Sequence, residues 1–184
     1  AFVMELTHNT LLPITNNYST PESLGVDRIA LAVGANFLYP SQNILAIDTG
    51  TCVTFDFIKK EGIYLGGGIS PGLKMRFKAL HNETAKLPLI KSPETIDKIN
   101  LIGIDTESSI LSGVINGLAH EIIGTIKSYA SIYDNIAVVF TGGDSTYFKN
   151  TCSRLLDSKK NKIFADPYLT LRGLNVILDY NENQ

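Results

Sequence analysis

Two aspartates in this 184-residue chain stand out by what surrounds them. Asp48 ends the apolar run Ile44-Leu45-Ala46-Ile47 and is followed at once by Thr49-Gly50-Thr51. A carboxylate at the end of a buried strand, with a glycine turn after it, aims oxygen ligands and backbone amides out of a sheet edge. That arrangement suits a hard cation and lets a phosphate approach the backbone, with Thr51 as a hydrogen-bonding partner. The bland alternative is an ordinary strand-ending turn. Asp27 stands beside Arg28 in Gly25-Val26-Asp27-Arg28. Here the aspartate could accept a hydroxyl proton and the arginine grip a carboxylate. A helical Asp-Arg pair is more often a solvated surface feature.

Two glycine-rich segments could add phosphate contacts. Gly66-Gly67-Gly68-Ile69-Ser70-Pro71-Gly72 leads toward a helix start, where free amides and the helix dipole make an anion cradle. It lacks the Gly-Lys-Ser/Thr ending of a Walker A loop, and tight strand-to-helix packing would also explain it. Thr141-Gly142-Gly143-Asp144 ends another buried strand and reads either as a nucleotide-side corner or as a plain turn.

The elements that must position these residues follow from the apolar spacing. Ala1 to Asn17 carries only a weak strand signal. A helix is predicted over Glu22 to Ala35, with Ser19 or Thr20 as its cap. Strands are predicted at Ile44–Ile47, Cys52–Ile58 and Ile63–Leu65, the last closed by Gly66-Gly67-Gly68. Ser70-Pro71 should then open a helix, and His81 to Asn100 should be irregular. A long helix is predicted from about Thr106 to Ala130 on the stripe Ile110, Val114, Leu118, Ile122. Gly113, Gly117 and Gly124 share one face of it and should admit another backbone, from this chain or from a second subunit. Beyond it come a strand at Ile136–Phe140, a helix ending by Leu156, a strand at Lys162–Phe164 and a last helix from Asp166-Pro167.

The implied fold class is α/β, a mixed β-sheet flanked by helices. Three meandering strands followed by alternating helices and strands are similar to the ribonuclease-H-like half of the actin/Hsp70/sugar-kinase fold, a likeness of topology that does not fix function. Residues 1–40 are expected to be a remnant of the first half, and residues 41–184 the second ribonuclease-H-like domain. Composition excludes other classes. A net charge of −2 gives no basic surplus for nucleic acid or anionic membrane. No apolar run reads as membrane-spanning, and the first residues do not read as a signal peptide. Cys52 and Cys152 are isolated, which argues against zinc or a disulfide framework and fits a cytoplasmic location.

Five segments, in order, resemble the type III pantothenate kinase family. Tyr18-Ser19-Thr20-Pro21 with Gly25-Val26-Asp27-Arg28 resembles its Y-x-x-P and G-x-D-R elements. Asp48-Thr49-Gly50-Thr51-Cys52-Val53-Thr54-Phe55-Asp56 resembles its D-x-G-T-A-x-T-x-D strand pair, with Cys52 in place of the usual alanine. Gly66 to Gly72, Thr84-Ala85-Lys86-Leu87-Pro88 and Thr141-Gly142-Gly143 resemble the remaining three. The resemblance implies ATP-dependent phosphorylation of pantothenate, the first step toward coenzyme A. It implies that Asp27 is the catalytic base, and that Tyr18, Gly25, Val26, Arg28 and Thr106 line the pantothenate site. It implies that Asp48 binds K⁺ (or NH₄⁺) and Thr51 contacts ATP, with Mg²⁺ on the phosphates. It further implies a homodimer whose sites draw on both subunits, with pantothenate and ATP as ligands and neither nucleic acid nor membrane as partner. The family opens on a D-x-G-N-T phosphate loop, and no such motif precedes Tyr18, so the expectation is a fragment of a longer chain. Two other readings compete. One is a non-catalytic binding or regulatory protein of the same fold, and the other is another kinase or phosphatase of the fold.

Overall fold

The computed structural model describes residues 3–93, 99–156 and 162–183. Six strands form one sheet in the order β1-β4-β3-β2-β5-β6. They are β1 (Thr15–Asn16), β2 (Asn43–Thr49), β3 (Cys52–Lys59), β4 (Ile63–Pro71), β5 (Ile136–Thr141) and β6 (Lys162–Ala165). Strands β2, β3 and β4 form an antiparallel meander, and β5 and β6 extend it in parallel from β2. This is the ribonuclease-H-like strand order, so the expected fold class holds. β1 is only a two-residue parallel pairing against β4, which fits the weak signal before residue 17.

Alternation along the strands divides the core in two. Leu45 and Ile47, Phe55 and Phe57, and Val138 and Phe140 face one side. There they meet α2 (Leu73–Asn82), α3 (Thr106–Leu111), α4 (Gly117–Ile132) and α5 (Ser145–Leu155). Ile44 and Ala46, Ala137 and Val139 face the other side, against α1 (Val26–Leu38) and α6 (Leu169–Glu182). Ile58 follows the alternation of β3 onto the α1 side, and the β-bulge opposite it, with Leu65 as the extra residue of β4, brings Tyr64 to the same side.

Several local expectations are corrected. The helix expected over Glu22–Ala35 starts later: Pro21–Ser23 is a 3-10 turn, and Gly25 occupies the N-cap of α1. Neither Ser19 nor Thr20 caps α1; the Thr20 carbonyl and hydroxyl accept from Ser23 Oγ instead. The triple glycine does not end its strand. β4 continues through Pro71, paired with β3 as far as Cys52, and Gly67 passes so close to the Phe55 carbonyl that no side chain fits there. Gly72, rather than Ser70, is the N-cap of α2. The long helix runs from Thr106 to Ile132 with a π-helical turn at Ser112–Asn116. By length and composition that stretch could cross a membrane, contrary to the first reading, but half of its apolar window is buried inside the chain. The middle of the irregular stretch between His81 and Asn100, residues 94–98, lies outside the described residues.

Candidate active site

Asp48 lies at the carboxyl end of β2, paired in register with Thr54 of β3 and Thr141 of β5. Parallel strands β2 and β5 end together there, a common place for ligands in open α/β sheets. Asp48 shares the parity of Ile44 and Ala46 and so falls on the α1 side of the sheet. Its Oδ1 is buried and accepts no hydrogen bond. Burial raises its pKa above the usual carboxylate value, and the charges of Asp27 and Asp56 raise it further. Gly50 and Gly142 both border this oxygen. A Cβ on Gly142, whose φ is +88°, would run into it. A buried carboxylate oxygen without a donor, framed by glycines that keep side chains away, has the chemistry of a cation ligand. Among the described residues no three His, Cys, Asp or Glu side chains converge, so backbone and water oxygens would have to complete any such site.

The start of α1 supplies the second group. Asp27 is exposed, and its Oδ1 accepts from the Arg28 backbone amide at 2.9 Å. Gly25 leaves the room this carboxylate needs, since a Cβ there would press on it. Arg28 turns the other way and is only 6% exposed, so the solvated-surface alternative fits Asp27 alone. Its Nε donates to Asp56 Oδ1 at 2.9 Å, and Nη2 lies 2.7 Å from the same oxygen. The Nη2 contact has no aligned hydrogen bond, so it is an ion pair by proximity. The Tyr18 ring lies over the guanidinium, 6.0 Å to the centroid, and stacks on Tyr64 at 6.3 Å. Gly66, at φ +92°, makes way for that ring. At Gly66 the missing side chain therefore serves packing.

A separate pocket of about 440 Å³ opens on the other side of Asp48, lined by Thr49, Gly50, Thr51, Lys74, Lys78 and Asp144 with Met75 and Gly143. The Thr141–Asp144 turn is held against β2, where Thr49 Oγ1 donates to the Thr141 carbonyl and Asp144 N to the Thr49 carbonyl. Burial raises the Asp144 pKa, and Lys74 opposes that shift. Lys74 and Lys78 share one face of α2 at i, i+4 spacing. Sequence reasoning passed over both, and two lysines one turn apart behind a glycine segment were the available signal.

Tyr18, Gly25, Val26, Asp27 and Arg28 thus gather at one end of α1, beside Asp48, with Thr51 across the strand end. Thr106 does not join them. It opens α3 on the opposite face of the sheet, beside the capping box in which Asp105 accepts from Ser108 N at 2.7 Å. There it lines a different pocket, of about 540 Å³, with Pro88, Glu107 and Leu111.

Comparison with known proteins places these features in context. The family model for type III pantothenate kinase matches residues 2–128. A type III pantothenate kinase of Christiangramia forsetii is 50% identical over 99% of this chain and 71% of its own length. That of Phocaeicola vulgatus is 46% identical over 98% of this chain and 70% of its own. Among solved structures, a conserved Baf family transcriptional activator from Campylobacter jejuni superposes with a TM-score of 0.59 at 24% identity. It covers 89% of this chain and 67% of that one, a likeness of fold alone.

Proposed function

This chain belongs to the type III pantothenate kinase family, and we propose that the end of α1 and the carboxyl end of β2 are the two sides of its phosphoryl-transfer site. The reaction is the ATP-dependent phosphorylation of pantothenate in coenzyme A biosynthesis. The observation that carries the site reading is the meeting of Asp27 and Asp48 at one sheet edge, between the Arg28–Tyr18 cluster and the Thr51 pocket.

In this reading Asp27 accepts the proton of the pantothenate hydroxyl. Its exposure leaves it free to reach substrate, and the Arg28 amide on its Oδ1 fixes its rotamer. Tyr18, Gly25, Val26 and Arg28 form the pantothenate side. Thr51 meets ATP, and Lys74 and Lys78 face the polyphosphate from α2. Asp48 Oδ1 is the protein ligand of a monovalent cation, K⁺ or NH₄⁺. That cation and Mg²⁺ supply neutralisation of phosphate charge when bound, the main electrostatic demand of phosphoryl transfer. The residues fit such a cation because the buried oxygen has no competing donor.

Thr106 reaches a substrate from a second subunit in this reading, since within one chain it lies on the far face of the sheet. The division between residues 1–40 and 41–184 is one of position within the whole fold rather than of packing. α1 shares its core with β2, β5 and α6. The testing experiment is ADP release from the complete gene product with Mg²⁺-ATP and pantothenate, with and without K⁺. Turnover that needs both pantothenate and a K⁺-like cation supports the reading. Turnover indifferent to the cation removes the role given to Asp48.

A further inference from the structure

Asp56 has no role in the assignments above, yet it is the most heavily committed carboxylate in the described chain. It is fully buried at 0% exposure. Strand alternation turns it toward α1, away from Phe55 and Phe57, and opposite it on β4 stands Gly67, which offers no side chain. Its Oδ1 accepts from Arg28 Nε at 2.9 Å and from the Tyr64 hydroxyl at 2.7 Å, while its Oδ2 accepts from Thr54 Oγ1 at 2.8 Å. Burial raises its pKa, and Arg28, Tyr64 and Thr54 all oppose that shift.

We propose that Asp56 is a positioning residue for the pantothenate side of the site, holding Arg28 and, through it, the Tyr18 ring and the first turn of α1. Full burial keeps Asp56 from touching a substrate, so it can act only through the groups it holds. Those groups are on one side of the site. Arg28 lies between the Asp56 carboxylate and the Tyr18 ring, and Tyr18 rests on Tyr64, itself a donor to Asp56. Arg28 directly follows Asp27, so the guanidinium that Asp56 fixes also fixes the backbone amide on the Asp27 carboxylate. None of these residues lines the Thr51 pocket with Lys74 and Lys78. Neutralising Asp56 leaves the Arg28 charge buried without its counter-ion, and the guanidinium must leave its place over Tyr18 or draw in water. The hydrogen bonds of Asp56 therefore run to the pantothenate side alone, and only its charge reaches Asp48.

The proposal rests on the assignment of Tyr18 and Arg28 to pantothenate. It is tested by steady-state kinetics of Asp56→Asn in the complete gene product, with melting curves alongside. The expected result is a pantothenate KM raised by about tenfold or more with the ATP KM within about twofold, and partial recovery in Asp56→Glu. A folded Asp56→Asn with both KM values unchanged, or with both raised alike, overturns the proposal. Should Asp56→Asn fail to fold, Tyr64→Phe and Thr54→Val each remove one donor to the same carboxylate. A pantothenate-only KM increase in them supports the proposal, and no change in either overturns it. Should the wild-type protein not use pantothenate, the functional reading fails separately. A crystal structure of Tyr64→Phe or Asp56→Asn then decides by geometry: an Arg28 guanidinium unmoved over Tyr18 overturns the positioning role, and a displaced one sustains it.

Discussion

Asp27 is the residue on which the proposed chemistry depends most directly. Asp27→Asn keeps the size and the hydrogen-bond acceptor for the Arg28 amide but removes the basic oxygen. The expected outcome is loss of phosphoryl transfer by about a hundredfold or more with ATP affinity preserved, read by turnover and by nucleotide titration. Unchanged turnover would remove Asp27 from the base role. A second residue prediction concerns the thiols. Burial pushes Cys152 up to about 12 from its ordinary 9.0, whereas Cys52 is half-buried. Between those values the unfolded chain ionises at this thiol and the folded one does not, so rising pH favours unfolding through this group. Thiol reagent in mildly alkaline buffer should modify no more than one cysteine of the folded protein, and both only in denaturant. Asp27 and Asp48 could be singled out as candidates from the sequence, Asp48 by the strand end and glycine turn around it and Asp27 chiefly by the resemblance of Gly25-Val26-Asp27-Arg28 to a family element. The Arg28–Asp56 pair could not. It depends on which face of β3 the alternation selects and on how α1 docks there, and neither is encoded near Arg28. The same holds for Tyr18, whose ring depends on a glycine far along the chain at Gly66.

At the level of elements, the strand meander and the long helix were legible from apolar spacing, and the errors concern glycines. Gly66 to Gly68 were read as closing their strand, with an anion cradle and tight packing both open, and they lie inside β4. A local reading cannot tell a glycine that must bend from one that must let a neighbouring strand or ring pass. The crossing of α1 and α6 was missed for the same reason. Gly34 and Gly173 face each other there, and a Cβ on Gly173 would overlap the Ala30 carbonyl. Two smooth helical patterns far apart in sequence give no sign that their backbones touch. Gly173→Ala should therefore destabilise the fold by about 1–3 kcal/mol, although alanine is the better helix former. Denaturant unfolding measures this, and a neutral or stabilising result would mean that α6 can slide away from α1.

For the whole molecule, the remaining question is what lies against the long helix Thr106–Ile132. Its inner stripe, with Ile115, Leu118, Ile122 and Ile126 all at 1% exposure or less, is settled against the sheet. Its outer face carries Gly113, Gly117 and Gly124, and among the described residues nothing outside the helix's own turns comes within 4 Å of a Cβ at any of them. Of the two partners expected for these glycines, a helix of the same chain or a second subunit, the first is not found among the described residues. Three glycines on a solvated helix face weaken it by about 1 kcal/mol each relative to alanine, with no compensating contact among the described residues. A second subunit packed on that face would supply the compensation and would agree with the position of Thr106, which no element of its own chain brings near Asp27. Gly124→Ala separates the two cases by sign. On a solvated face it should raise stability by about 0.4–1 kcal/mol, independent of protein concentration. Under a closely packed subunit it should lower the melting temperature, more so on dilution, and shift the light-scattering mass toward that of one chain. The homodimer reading expects the second pattern, and the first would move the dimer contact to another surface.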